Sequence, residues 1–450
     1  MSVNSNASRV FYRSLKDNFP VATGANGVYL TDSTGKQYLD ASGGAAVSCL
    51  GHGNKRVIEA VKAQLDRMAF AHTSFFTSTP AEELAEILSA KAPGGNWRTY
   101  FVSGGSEANE AAMKMARQVH FERGEMGRSH FLSRHLAYHG STIATMSIGT
   151  VRASGALYQP LLSNNVEKIM PCFPFRWKNP GESDAGFLAR STGELETVIE
   201  ELGDKRAICF MAETVSGATL GAVPPVPGYF KEIRRICDKH GVLMILDEVM
   251  AGMGRCGKLF ACEEDDVVPD MITLAKGLGG GYQPLGAVMV REELAQIIED
   301  GSGAFVHGHT YVGHPSACAA GLAVQKVFEE DNLIEQVAQN GEVLAAKLQD
   351  AFGDHPHVGD LRGRGYFRGV ELVKDRETNE PFEKQLMVAA KIKKATMAAG
   401  LVCYPMAGTV DGRKGDHVML APPFIYTRAH MDELVEKLGR AIDQVITGVS

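Results

Sequence analysis

No apolar run in the 450 residues approaches the roughly 20 needed to cross a bilayer, which argues against a membrane-spanning chain. The opening stretch, MSVNSNASRVFYRSLKDNFP, is polar and lacks the apolar core of a secretory signal. Cysteine is scarce, with eight in the whole chain. None forms a C-x-x-C pair: Cys256 and Cys262 stand too far apart, and Cys49 and Cys403 stand alone. Too sparse for a disulfide scaffold, the cysteines read as small buried apolar residues in a reducing compartment. Basic residues are outnumbered, 46 against 53, for a formal charge of −7. The basic excess of a nucleic-acid or membrane-surface binder is therefore missing. Internal repeats and low-complexity tracts are absent too. These absences point to a soluble, cytoplasmic, globular chain. Its composition, 44% hydrophobic and 22% charged, agrees with that. At ~150 residues per domain, the length allows about three domain-sized units or one large fold with appendages.

Glycine is what the chain has in excess. Its 49 glycines exceed the usual share of about 7%, and they cluster at Gly43-Gly44, Gly104-Gly105, Gly277 to Gly281 and Gly363 to Gly369. No long Ser or Pro tracts accompany them, so they read as ligand loops between regular elements, where backbone must turn or approach a bound group closely. Through the middle of the chain, short continuous apolar runs alternate with amphipathic ones. RTYFVS (98–103), AICFMA (207–212), GVLMILD (241–247), PDMITLA (269–275) and GAVMV (286–290) are strand-like. SEANEAAMKMARQVHFERG and PGYFKEIRRICDKHG are helical, the second with Pro227 near its start and Gly241 at its end. This pattern predicts an α/β fold with a mostly parallel central sheet covered by helices. In such sheets ligands bind beyond the carboxyl ends of the strands. From about Gly313 the texture changes to long helices and a few strands. The expected organisation is a large domain over 66–325 and a smaller α+β domain built from 326–450 together with 1–65.

The chemistry-bearing residues fall just after the strands. Ser103-Gly104-Gly105-Ser106-Glu107 links a strand to a helix, so free backbone N–H groups and the helix dipole favour an anion there, with Ser106 as a cap or a phosphate donor. Taken alone, the loop is equally an ordinary glycine turn and cap. Asp247 ends a buried strand and needs a cationic or hydrogen-bonding partner. The following Gly252-Met-Gly-Arg-Cys-Gly257-Lys258 nearly spells a P-loop. Leu259 stands where the Mg²⁺-holding hydroxyl should be, however, and one strand cannot serve both nucleotide motifs. Lys276 closes the next strand ahead of a glycine-rich loop, a setting that desolvates the amine and suits a Schiff-base lysine. A single lysine there would more often be a snorkelling surface residue, and Tyr138 alone a half-buried core aromatic. The conjunction is more specific. An anion-binding helix start, a strand-end carboxylate, a strand-end amine and an aromatic in Tyr138-His139-Gly140 form the set that pyridoxal phosphate requires.

The runs LDASGGAAVSCLGHG, SGGSEANEAAMKMAR, YHGST, LDEVMAGMGRCG, LAKGLGGGYQPLGA, HTYVGHP and LAPPF, in that order along the whole chain, resemble the class III pyridoxal-phosphate aminotransferases of fold type I, in the ω-transaminase (ω-amino acid:pyruvate) branch. The resemblance implies that Lys276 bonds the cofactor aldehyde and Asp247 pairs with the protonated pyridine nitrogen. Val249 would pack on the ring face opposite Tyr138. Gly105 and Ser106 would hold the phosphate, completed by Thr310 from the partner subunit of a homodimer with shared active sites. Glu213 matches the family's active-site glutamate, and His307, His309 and His314 are loop residues with no metal-ligand pattern.

Two departures bear on substrate. Glu213-Thr214 stands where Glu-Pro is frequent, and Met250 stands where the ornithine and GABA branches carry a glutamine, which favours the ω-transaminase branch. Phe75 and Phe76 are expected on a pocket wall and Arg413 on a substrate carboxylate; Arg428 reads as a solvated charge opening the last helix. The implied activity is transamination from a primary amine or ω-amino acid, for example β-alanine, diaminobutyrate, taurine or an aralkyl amine, to pyruvate or 2-oxoglutarate. Amino-acid racemisation or epimerisation on the same fold is the alternative.

Overall fold

The computed structural model of the chain describes residues 2–150, 155–203 and 205–449. A seven-stranded sheet lies at its centre. Its strands run in the order Trp97–Val102, Gly286–Arg291, Met271–Leu274, Leu243–Asp247, Ala207–Glu213, His130–Arg134 and Val166–Ile169. The last five are mutually parallel. Gly286–Arg291 runs antiparallel to both of its neighbours.

Strand alternation divides the apolar side chains between two layers. Cys209, Met211, Leu243, Ile245 and Met271 pack with the helix Gly105–Glu122. Phe210, Ala212, Met244, Leu246, Ile272 and Leu274 pack into the larger core on the opposite face, to which the helices Tyr229–His240 and Pro315–Glu330 contribute. Both faces are covered, which is why these strands read as continuous apolar runs. The helix Gly105–Glu122 buries Ala108, Ala111, Ala112 and Ala116, small side chains that let it lie close to the sheet.

Beyond the helix Leu333–Phe352, an antiparallel sheet orders Val358–Arg364, Phe367–Leu372, Asp416–Leu420 and Tyr404–Ala407. A second small sheet joins residues from the two ends of the chain: Leu401–Val402 pairs in parallel with Gln37–Asp40, which continues through Tyr29–Asp32 to Ala22–Asn26. Arg428 opens the final helix, Arg428–Thr447, capped by the Thr427 side chain. All eight cysteines are unpaired. No helix among the described residues is long and apolar enough to cross a membrane.

Sheet register sets the chemistry. Asp247 lies directly opposite Glu213 on one neighbouring strand and opposite Thr273 on the other. Lys276 follows three residues after Thr273, so the carboxyl ends of three adjacent strands deliver an acid, a second acid and an amine to one edge.

Candidate active site

A cavity of about 320 Å³ opens at that edge, lined among others by Gly105, Ser106, Tyr138, Asp247, Val249 and Lys276. Glu213 lines it as well. The structure therefore brings seven of the sequence-derived residues together from five separate stretches of chain.

Asp247 is 4% exposed. Its Oδ2 accepts from Asn109 Nδ2 at 2.8 Å and lies 2.8 Å from His139 Nδ1, and its Oδ1 accepts the Val249 amide at 3.0 Å. Asn109 is itself held, donating to the His139 carbonyl at 2.7 Å and accepting from Thr273 Oγ1 at 2.6 Å. A carboxylate offers about four lone-pair sites; three are filled by Asn109, His139 and the Val249 amide, and among the described residues no lysine or arginine is in ion-pair contact with it. Asn109 and His139 are the functional residues that sequence reasoning passed over.

The adjacent acid has a different task. Glu248 accepts the amides of Ala261 at 2.6 Å and Cys262 at 2.7 Å, and burial pushes its carboxyl up to about 7 despite those bonds. Strand alternation sends one member of the Asp247-Glu248 pair to the cavity and the other to a structural turn.

Lys276 has φ of +46°, a left-handed conformation that a non-glycine residue adopts only under constraint from its surroundings. Its Nζ donates to the Ala45 carbonyl at 3.1 Å. Burial holds the ammonium below the usual lysine value, while the charges of Asp247 and Glu213 oppose that shift. The amine is thus easier to deprotonate than a surface lysine, the condition for a nucleophile and proton carrier near neutral pH.

Tyr138 is 43% exposed at the cavity wall and is fixed through its backbone: its amide donates to Glu213 Oε2 at 3.2 Å. Glu213 also accepts the Gly217 amide on Oε1 at 2.9 Å, and burial raises its carboxyl above the usual value. In this chain, then, Glu213 latches the loop that presents the aromatic ring.

The start of the helix Gly105–Glu122 meets Val249 closely. A methyl group added at Gly105 would lie 2.8 Å from Val249 Cγ1. Glycine is needed there so that the helix start and Val249 can share one wall of the cavity. Gly105→Ala is therefore expected to weaken cofactor retention about tenfold, the effect of roughly 1–3 kcal/mol of overpacking, and Val249→Ala in the same chain should restore it. Equilibrium titration of cofactor against the two variants checks this; an unaltered Gly105→Ala affinity would contradict it.

Other expected residues lie elsewhere. Phe75 and Phe76 do not line this chain's cavity. They are exposed, at 80% and 67%, on a loop that stacks against the segment carrying Thr310. Phe70 packs edge-on to Tyr311 with centroids 5.7 Å apart, and Thr73 lies against Gly313. The physical reason is that the 70–77 loop turns outward, leaving large apolar side chains uncovered. Arg413 is exposed as well, at the tip of the 407–416 hairpin and outside the cavity. His307 and His309 meet edge to face, with ring centroids 4.7 Å apart.

The residues fit pyridoxal phosphate. The uncompensated acceptor site on Asp247 suits a protonated ring nitrogen, the desolvated Nζ of Lys276 suits an aldehyde, and the helix start at Gly105 suits an anion. His139 lines the same cavity, and its buried Nε2 has no hydrogen-bond partner among the described residues.

Comparison with known proteins agrees. The profile of the family described as aminotransferase class-III matches residues 11–442. An uncharacterized aminotransferase of Schizosaccharomyces pombe is 42% identical over 98% of this chain and 96% of its own length. Among solved structures, an omega-aminotransferase from Paracoccus denitrificans superposes with a TM-score of 0.93 at 34% identity, covering 100% of both chains. A PLP-bound aminotransferase mutant from Vibrio fluvialis does so with a TM-score of 0.90 at 33% identity, covering 96% of this chain and 94% of its own.

Proposed function

The chain belongs to the class III aminotransferases, enzymes of the pyridoxal-phosphate fold type I, and from that premise we propose that it transfers the amino group of a primary amine or ω-amino acid to a keto acid such as pyruvate or 2-oxoglutarate, using Lys276 and Asp247. One observation carries the residue assignment: the Lys276 amine, the Asp247 carboxylate and the Gly105–Ser106 helix start line a single cavity.

Pyridoxal phosphate, when bound, supplies an aldehyde for amine exchange and a protonated ring that draws electrons from the bonds at the amine carbon. The chain supplies the rest. Asp247, aligned by Asn109, His139 and the Val249 amide, would hold the proton on the ring nitrogen. Lys276 takes the proton from the donor's amine carbon and delivers it to the former aldehyde carbon, acting first as base and then as acid. Tyr138, anchored through Glu213, and Val249 bracket the ring. The helix start with Ser106 holds the phosphate. The rest of the wall is largely apolar, with Val47, Val215, Met250, Pro284 and Leu285; it accommodates the carbon skeleton of an amine.

A homodimer fits the exposed face that carries Phe75, Phe76 and Thr310: a second copy would cover the two phenylalanines and bring Thr310 to the neighbouring phosphate. Arg413 is the proposed carboxylate partner of the acceptor. Arg413→Ala should raise the KM for pyruvate about 10–100-fold, the loss of one charged hydrogen bond, with kcat within about threefold. An unchanged KM would remove that role.

The relatives are aminotransferases, which supports transamination over racemisation. The functional test is alanine formation from pyruvate with a panel of β-alanine, diaminobutyrate, taurine and 1-phenylethylamine. Stoichiometric alanine with at least one donor supports the proposal. No alanine from any of them, with cofactor bound, counts against it.

A further inference from the structure

The 407–416 hairpin is tied down at its base by a buried charge cluster whose residues do not line the cavity. Glu371, fully buried on the strand Phe367–Leu372, accepts from two arginines: Arg176 Nη2 at 2.7 Å and Arg362 Nη2 at 2.6 Å. The same Oε1 that receives Arg176 also accepts Thr409 Oγ1 at 2.6 Å, and Thr409, on the hairpin, is fully buried. Arg362 reaches the other way, donating to the Gly221 carbonyl at 2.8 Å and to that of Leu220. Those carbonyls belong to the segment that follows Glu213, whose carboxylate holds Gly217 and Tyr138. One buried carboxylate thus links the hairpin to the loop behind the active-site glutamate.

The hairpin is ordered from this base to its tip. Gly408 N donates to the Gly415 carbonyl at 2.6 Å and Val410 N to the Lys414 carbonyl at 3.0 Å. At the tip, Asp411 Oδ1 accepts the amides of Arg413 at 2.8 Å and Lys414 at 2.7 Å. Gly415, at φ +88°, leaves the space that the Thr409 hydroxyl occupies: a methyl group there would collide with Oγ1. The tip lies over Leu136, two residues before Tyr138, with a methyl at Gly412 coming within 3.8 Å of Leu136 Cδ2.

We propose that Thr409 is a positioning residue: its hydroxyl, gripped by Glu371 between Arg176 and Arg362, fixes the 407–416 hairpin so that Arg413 stands at the rim of the active site for the carboxylate of the keto acid. The proposal rests on the reading of Arg413 given above. It makes the hairpin a braced arm whose aim is set at its base, and it assigns acceptor recognition to residues that never touch the substrate. A fixed donor loses less freedom on binding than a loose one, and this is how a remote bond enters KM.

Glu371→Gln would leave the buried Arg176 guanidinium without its carboxylate and Arg362 with Asp360 alone, endangering the fold, so the test uses Thr409→Val, close in shape but without the hydroxyl, with Thr409→Ser as the rescue. Amide hydrogen exchange on the holoenzyme should show at least tenfold faster exchange at the Val410 amide in Thr409→Val, with wild-type protection in the sheet at Val418 to Leu420. In separate half-reactions, the pyruvate half should show a KM raised about fivefold or more with little change in the limiting rate. The 1-phenylethylamine half, which presents no carboxylate, should stay within about twofold, and Thr409→Ser should restore both readouts. Unchanged exchange in Thr409→Val overturns the proposal. So does faster exchange with an unaltered pyruvate KM while Arg413→Ala raises that KM. If Arg413→Ala itself leaves the pyruvate KM untouched, the Arg413 reading fails first and the positioning role falls with it, a failure seen without any Thr409 variant.

Discussion

Lys276→Ala should bind pyridoxal phosphate and lose turnover by at least about a thousandfold, because one side chain supplies both the cofactor's covalent partner and the proton carrier. Cofactor binding should survive, since the other contacts remain: Asp247 stays aligned by Asn109 and His139, and the helix start at Gly105 is untouched. The substitution removes an amine whose burial lowers its affinity for protons and whose backbone is held at φ +46°. An external primary amine such as methylamine should return a small part of the rate, since it restores a proton acceptor without the positioning. Near-normal turnover in Lys276→Ala would remove the lysine from the mechanism.

Asp247→Asn should lower kcat by about a hundredfold or more, the scale seen when one preorganised electrostatic partner of a transition state is lost. The amide is the same size but carries no charge to retain the ring-nitrogen proton. One of its ends would place an NH₂ group against donors now aimed at the carboxylate, Asn109 Nδ2 and His139 Nδ1 on one side or the Val249 amide on the other. Both the proton on the ring and the set of the carboxyl plane are lost together. The spectrum of the bound cofactor should shift with the rate. A kcat within twofold of the parent enzyme would show that the ring proton is held by another group.

The residues that were legible in sequence share one property: their meaning is local. Asp247 ends an apolar strand, Lys276 comes two residues after the next and the Gly105-Ser106 turn three to four residues after another, and in such a sheet that position alone places a side chain at the ligand edge. Asn109 was hidden for the opposite reason. It sits in the first turns of a helix and its partner Asp247 lies 138 residues further on; only the packing of that helix across the sheet brings them together. His139 was passed over beside the more conspicuous Tyr138. The direction of the strand Gly286–Arg291 was also hidden, because a strand buried on both faces has the same apolar composition whichever way it runs. Glu213 was identified through resemblance, yet its grip on the Tyr138 amide depends on a carboxylate meeting a backbone N–H from another loop, which no side-chain pattern encodes. Phe75 and Phe76 were expected on a pocket wall; they are exposed because the 70–77 loop turns outward, a displacement that residue type alone does not encode.

The central claim is that Lys276 and Asp247 operate an amino-transfer site, and the most direct test is a visible absorption spectrum of the cofactor-loaded protein with an amine donor and no acceptor. The account predicts that the band of lysine-bound cofactor bleaches to that of the amine form, returns on addition of pyruvate, and does neither in Lys276→Ala. A band that persists while a chiral amino acid loses its optical activity would contradict it, as would the absence of any lysine-bound band after incubation with pyridoxal phosphate.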